Sequence, residues 1–274
     1  MVPGQLLTEL QAAAEPGVPR RGPVVLLAGP GDASAIVSNA LSGNNPIVIM
    51  EAGQSRVTLT RRRAKRMGWW TVTGQVLFVT VAMPVLRLRG RGRKRDILSA
   101  WGMDDVLRRP AHMVTSVNAA ETIALLEELK PVVIVVNGTR IIAPKVLECV
   151  DCPIINVHAG ITPQYRGVHG GYWALAEGHP ELVGTTVHLV DPGIDTGTVL
   201  VRAYFDPSHG DSIATYPYLH LAVGLPALTE QVDRVLRGQT LESVADQDPG
   251  TKSHLHSHPT LWGYLWRLLT RGVG

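Results

Sequence analysis

The feature that most constrains this chain is one stretch, residues 152–201, CPIINVHAGITPQYRGVHGGYWALAEGHPELVGTTVHLVDPGIDTGTVLV. An apolar run ends on Asn156-Val157-His158. A Gly/Pro-rich loop and a short helical segment follow, and a second apolar run leads into the acidic turn Asp191–Gly197. Residues two apart on a strand share a face, so Asn156 and His158 point the same way. Open α/β sheets bind ligands where their strands end, which is where this order of elements would gather Asn156, His158 and Asp195. An amide N–H can hold an oxygen that is gaining charge. An imidazole handles protons near neutral pH, and a carboxylate can orient it, charge it or position a relaying water. Taken singly, each residue has an ordinary reading: a loop hydrogen-bonder, a satisfied polar side chain, a turn residue. Together, in one stretch, they point to acyl-type chemistry.

The rest of the chain reads as a frame for that stretch. Pro23–Ala28 (PVVLLA), Ile47–Met50, Met113–Val117 and Pro131–Val136 are short apolar runs expected to be strands, separated by helical segments. Asp32 is expected to cap a helix through Leu41, and Asn118 the helix AAETIALLEELK, whose apolar residues 123, 125, 126 and 129 share a face. A short helix starts near Ala143-Pro144. The expectation is a doubly wound, mostly parallel α/β sheet with a helical C-terminal extension. Thr198–Ala203 is expected antiparallel to Thr185–Val190, and residues 211–237 are read as helix broken by Pro217 and Pro226. The domain reading is an arm over 1–22 (with a short helix over Leu6–Ala14), a catalytic domain over 23–210 and an extension with its tail over 211–274. The turn Gly29-Pro30-Gly31 is either a tight strand-to-helix turn or a cradle for a substrate phosphate.

Apolar residues make up 45% of the 274 and charged residues 18%, so a sizeable core is available and wholesale disorder is excluded. The net charge of +3 comes with arginines gathered in two runs, 61–66 and 87–95, and does not by itself imply nucleic acid. These runs bracket WWTVTGQVLFVTVAMPVL, residues 69–86, which carry no charge. Polar Thr71, Thr73, Gln75 and Thr80 favour a buried or interfacial helix over a membrane span. Residues 53–67 read as a basic helix. Cys149 and Cys152 lack a second pair, so zinc is not expected; only Cys152 is a candidate for proximity to the site. His254, His256 and His258 form a weak metal candidate, and the aromatic end LWGYLWRLLTRG an amphipathic helix that docks on its own domain, a partner or a membrane surface. Two cysteines without a secretory signal suggest a cytoplasmic protein.

Four motifs in order, NVH at 156–158, PQYRG at 163–167, GTTVH at 184–188 and DPGIDTG at 191–197, resemble the 10-formyltetrahydrofolate-dependent formyltransferase family. The resemblance implies a formyltransferase-like variant of the Rossmann fold. It implies that Asn156, His158 and Asp195 are catalytic, and that 10-formyltetrahydrofolate is the co-substrate, with no metal. The folate pocket would be formed by Thr139, Arg140, Ile141 and Ile142 together with Val190, Asp191, Gly193 and Ile194. Arg140 can equally be a surface ion-pair residue. The family's His-Pro-Ser is His158-Ala159-Gly160 here, and its Leu-Leu is Ile161-Thr162, which leaves the loop and acceptor choice different. No transfer-RNA-binding barrel is readable after residue 240. The favoured acceptor is therefore a small-molecule amine or hydroxylamine, such as an amino sugar or siderophore precursor, with no nucleic acid. Formyltetrahydrofolate hydrolysis and a non-catalytic folate- or nucleotide-binding scaffold are the alternatives. Membrane contact is the weaker partner reading, and a homodimer is compatible with the chain.

Overall fold

The computed structural model describes residues 18–53, 60, 64–65, 67–109, 111–244 and 252–274. The expected helix over 6–14, and most of the basic segment 53–67, lie outside the described residues.

The chain begins with β1 (Val24–Ala28), α1 (Asp32–Ala40) and β2 (Ile47–Glu51). A long helix, α2 (Trp69–Arg89), widens to a π turn over Phe78–Ala82, and α3 (Arg91–Ala100) follows. Next come β3 (Ala111–Val114), α4 (Ala120–Leu129), β4 (Val133–Asn137), the single turn α5 (Pro144–Leu147) and β5 (Ile154–His158). The second half holds β6 (Tyr165–Gly167), α6 (Gly170–Glu177), β7 (Gly184–Leu189), β8 (Val199–Tyr204), α7 (Tyr216–Leu236), β9 (His254–His256) and α8 (Leu261–Arg271).

Seven strands form one sheet in the order β3-β2-β1-β4-β5-β7-β8. The first five pair in parallel; β7 runs antiparallel to both β5 and β8, as the pattern of 185–203 anticipates. Every residue of β1 and of β4 is buried, which suits parallel strands covered by helices on both faces. Strand order reverses between β1 and β4, and the crevice at that reversal is where such sheets bind ligands.

Several local expectations change in three dimensions. Gly31 is the N-cap of α1; Asp32 is its first residue, and its carboxylate takes Lys94 and the Tyr218 hydroxyl instead. Ala119 is the N-cap of α4, because the Asn118 side chain is used across the sheet end, accepting from Ala143 N–H and donating to the Ile141 carbonyl. The third strand lies at Ala111–Val114, two residues earlier than MVTSV. Pro217 and Pro226 do not break α7. Pro217 sits in the first turn, where its missing N–H has no helical partner to lose. Around Pro226 the helix is held by a buried face of Leu219, Leu221, Leu225, Leu228, Val232 and Val235, most of them in the same core as β1, β4 and β5.

Candidate active site

The antiparallel register of β5 and β7 sets Asn156 opposite His188 and His158 opposite Thr186. His188 Nδ1 lies 2.7 Å from the Leu189 carbonyl, so that nitrogen carries the proton and donates. Its Nε2 is then an acceptor, and it takes an N–H from the Asn156 amide at 3.0 Å. This fixes the amide's rotation and leaves its second N–H for a ligand. Burial holds the His188 imidazole below its usual value, which keeps it the neutral acceptor that this contact needs. His188 is the functional residue that motif reading placed in a pattern but gave no role; strand alternation from Thr186, combined with the pairing register, identifies it.

His158 is 6% exposed and faces acceptors on both ring nitrogens. The Tyr165 carbonyl is 2.8 Å from Nε2 and Asp195 Oδ2 is 3.4 Å from Nδ1. The Asp195 contact is long for a direct hydrogen bond, so a substrate atom can compete for either group. Asp195 Oδ1 also lies 3.8 Å from His188 Nε2. The amide and imidazole of β5 therefore meet a carboxylate from the turn after β7.

The turn that presents Asp195 is held from several sides. Asp191 accepts from Gly193 N–H at 3.0 Å and from the Thr196 hydroxyl at 2.8 Å. Asp195 adopts φ 52°, a left-handed conformation that short polar side chains tolerate. Gly167 N–H donates to Asp195 Oδ2 at 2.9 Å, and Arg166 donates to the Ile194 carbonyl at 3.1 Å. The loop 163–167 thus positions both members of the pair, His158 through the carbonyl of Tyr165 and Asp195 through the N–H of Gly167.

Gly160 accounts for the local departure His158-Ala159-Gly160. A Cβ there would sit 2.4 Å from the Tyr165 carbonyl oxygen and 3.2 Å from the Gly170 Cα. Glycine lets the two backbones touch and seats α6 beneath the loop. The His-rich tail secures the loop from above. β9 pairs in parallel with β6. His256 stacks on Tyr165 and Trp173, and Trp173 Nε1 donates to the Ser257 carbonyl at 3.0 Å. His254, His256 and His258 are therefore parts of a strap, and among the described residues no His, Cys, Asp and Glu side chains gather into a metal-binding group.

A cavity of about 450 Å³ opens beside this cluster. Asn156, His158, His188 and Asp195 form one side, and Thr139, Arg140, Ile141, Ile142, Val190, Asp191, Gly193 and Ile194 all line it. Arg140 is committed elsewhere. Its Nε meets Glu51 Oε2 at 2.5 Å, and its backbone N–H donates to Glu51 Oε1 at 2.7 Å, so Arg140 offers the cavity its backbone more than its charge. Cys152 is buried at the start of β5, among Val25, Ile134 and Ile154, away from the cavity. A second cavity, of about 540 Å³, shares Ala33 with the first. It is lined by Arg87, Arg91, Lys94, Asp32, His169 and Tyr218, among others, and by the turn Pro30-Gly31. Lys94 is paired with Asp32 and Asp105, while Arg87 and Arg91 have no carboxylate partner among the described residues.

Residues 87–218 match the formyl transferase family. The methionyl-tRNA formyltransferase of Pelotomaculum thermopropionicum is 33% identical over 153 residues, 56% of this chain and 49% of that protein. That of Desulfotalea psychrophila is 30% identical over 172 residues, 62% and 53% respectively. The chain thus spans about half the length of these curated relatives. Among solved structures, phosphoribosylglycinamide formyltransferase from Anaplasma phagocytophilum superposes with a TM-score of 0.51 at 16% identity, covering 84% of this chain and 96% of that one. The N-formyltransferase from Helicobacter canadensis, solved with folinic acid and dTDP-3-aminofucose, gives 0.51 at 14%, covering 84% and 70%. These structural likenesses establish a shared fold. The matched segment, from the end of α2 to the start of α7, encloses all four site motifs, and over it the chain is similar to formyl transferases.

Proposed function

We propose that this protein transfers a formyl group from 10-formyltetrahydrofolate to an amine, or a hydroxylamine, of a small metabolite. The observation that carries this reading is the convergence of Asn156, His158 and Asp195 on one wall of a cavity of about 450 Å³, a size usual for small-molecule sites. The donor set suits a folate. Ile141, Ile142, Val136 and Val190 supply apolar surface for a flat ring, and the two loops offer backbone groups to its polar edge. When bound, the folate supplies a formyl group on a nitrogen that can leave.

Asn156 presents its second amide N–H to the formyl oxygen as that oxygen gains charge during attack. His158, with its Nε2 held by the Tyr165 carbonyl, turns Nδ1 toward the same region and toward Asp195. As an imidazolium it fills both acceptors and adds a positive charge near the developing anion. Asp195 holds that charge in place and can receive the proton that the attacking amine gives up, which would then pass to the departing nitrogen so that it leaves as tetrahydrofolate.

The second cavity is the reading's acceptor side. Arg87 and Arg91, which meet no carboxylate among the described residues, suit an anionic group such as a phosphate, with the amine reaching past Ala33 toward His158. The relative from Helicobacter canadensis, crystallised with a nucleotide-linked amino sugar, supports this acceptor class. The test is to incubate the protein with 10-formyltetrahydrofolate and a panel of nucleotide-linked amino sugars and hydroxylamines, following tetrahydrofolate release and the formylated product by mass. Product with a phosphate-bearing amine is the expected result. Formate release that no amine accelerates would replace transfer with hydrolysis. His158→Ala and Asp195→Asn should each lower turnover by roughly 10²–10⁴-fold with folding intact, and near-normal rates in both would move the site elsewhere.

A further inference from the structure

The outward face of α2 is apolar, where a helix on the surface of a water-soluble domain carries charge. No charged residue occurs from 68 to 86. Over the most apolar window of this 21-residue helix, mean hydropathy is 1.5 and only 28% is buried. Trp69, Trp70, Val76, Leu77, Val81, Val85 and Leu88 face outward, Trp70 being 75% exposed. α8 packs alongside, through Trp70 stacked on Trp262 and Phe78 against Tyr264. It turns Leu265, Trp266 and Leu269 outward in its turn, Leu269 at 84% exposure. Two neighbouring helices thus expose more apolar side chain than scattered surface residues account for.

The rim is basic. Exposed Arg87, Arg89, Arg91 and Arg95 follow the apolar face, and Arg271 ends α8. In sequence, the runs at 61–66 and 87–95 hold five and six of the chain's 26 Lys and Arg residues, one run on each side of the apolar stretch. Tryptophans and arginines bordering aliphatic side chains are complementary to the interface of an anionic bilayer. A transmembrane course is opposed by the other face of α2. Val72, Phe78 and Met83 are buried, Phe78 and Met83 in a core with Ile97, Tyr172, Tyr216 and Tyr264. The Gln75 amide also donates at 2.9 Å both to the Ser257 hydroxyl and to the His258 carbonyl. Pulling the helix into a bilayer would strip these contacts, whereas laying it on one keeps them.

We propose that the exposed face of α2 and α8 seats this protein on the surface of an anionic membrane, with α2 lying in the headgroup layer. Met83 and Arg87 of α2, with Gly90, Arg91 and Lys94 after it, also wall the basic cavity, on the side of α2 that carries the buried Met83. The docking stands whether or not the catalytic reading holds, since its observations lie outside the Asn156–His158–Asp195 cluster.

The test uses the full chain and vesicles of phosphatidylcholine with or without about 30 mol% phosphatidylglycerol. Co-sedimentation should show binding to the anionic vesicles at least roughly tenfold tighter than to the neutral ones, and weaker at about 0.5 M salt. Tryptophan emission should shift to the blue and be quenched by brominated acyl chains. The Val81→Glu/Leu88→Glu/Leu269→Glu variant changes only exposed positions and should lose at least roughly tenfold in vesicle affinity, while Arg89→Ser/Arg95→Ser should lose roughly fivefold per arginine, on anionic vesicles alone. Should the triple variant misfold by circular dichroism, lipid quenching of the wild-type tryptophans decides the matter without it. Absence of wild-type binding to the anionic vesicles would overturn the proposal. So would a lipid-free dimer that the triple variant dissociates and vesicles fail to compete, which would assign the face to a second copy.

Discussion

His220 offers a measurement that isolates one buried group. It lies in α7 at 3% exposure, its ring set edge-on to Phe205, with Nδ1 3.1 Å from the Thr185 hydroxyl. Its Nε2 is buried and has no hydrogen-bond partner among the described residues. Burial, reinforced by the nearby charge of His158, pushes the imidazole down to about 3. In the unfolded chain it titrates near 6.5. Unfolded protein therefore takes up a proton that the folded protein refuses. The contribution to stability is intact above pH ~6.5 and is lost as pH falls from there toward 3. The slope is about 1.4 kcal/mol per pH unit, or about 2 kcal/mol lost between pH ~8 and ~5. His220→Phe keeps a ring of similar size and abolishes the titration. Urea unfolding followed by tryptophan fluorescence should give a stability profile flatter by about 2 kcal/mol over that interval. His188 and His256, which burial also depresses, remain in both proteins and cancel in the difference. Profiles of the two proteins that stay parallel within about 0.5 kcal/mol would refute the argument.

Other substitutions probe the supports of the site. His188→Leu removes the acceptor that orients Asn156 and should lower kcat by roughly 10²-fold with KM for the folate little changed, as steady-state kinetics would show. Glu51→Ala strips the carboxylate that receives the Arg140 guanidinium, the Arg140 N–H and the Val117 N–H; a loss of about 3–5 kcal/mol in urea unfolding is expected. Gly160→Ala forces a methyl group against the Tyr165 carbonyl and should cost more than about 3 kcal/mol, with a shift in the fluorescence of Trp173 beneath the loop.

The sheet was legible because β1 and β4 are buried on both faces, which leaves continuous apolar runs in the sequence. The trio Asn156, His158 and Asp195 was legible because two of its members are two apart on one strand and the third sits in an acidic turn. What escaped the sequence depended on pairing between distant segments. His188 gains its role only when β7 is set antiparallel against β5 in one particular register. Asn118 gives up its cap because the turn after β4 arrives beside it. For α2, the apolar stretch was plain, but only packing shows that Val72, Phe78 and Met83 face inward while Trp70, Val81 and Leu88 do not.

The tail shows how far this dependence runs. A strand three residues long, His254–His256, reads in sequence as a polar His-rich segment with a weak claim on a metal. Paired with Tyr165–Gly167, it braces the segment whose carbonyl holds His158 and whose N–H holds Asp195. The geometry of the His158–Asp195 pair is therefore set partly from nearly a hundred residues away along the chain, by ring stacking of His256 on Tyr165 and Trp173. The same tail accepts the Gln75 amide of α2 through Ser257 and His258. The helix proposed to meet the membrane and the loop proposed to position the chemistry thus share one support, and a displacement of either has a direct route through residues 254–258 to the other.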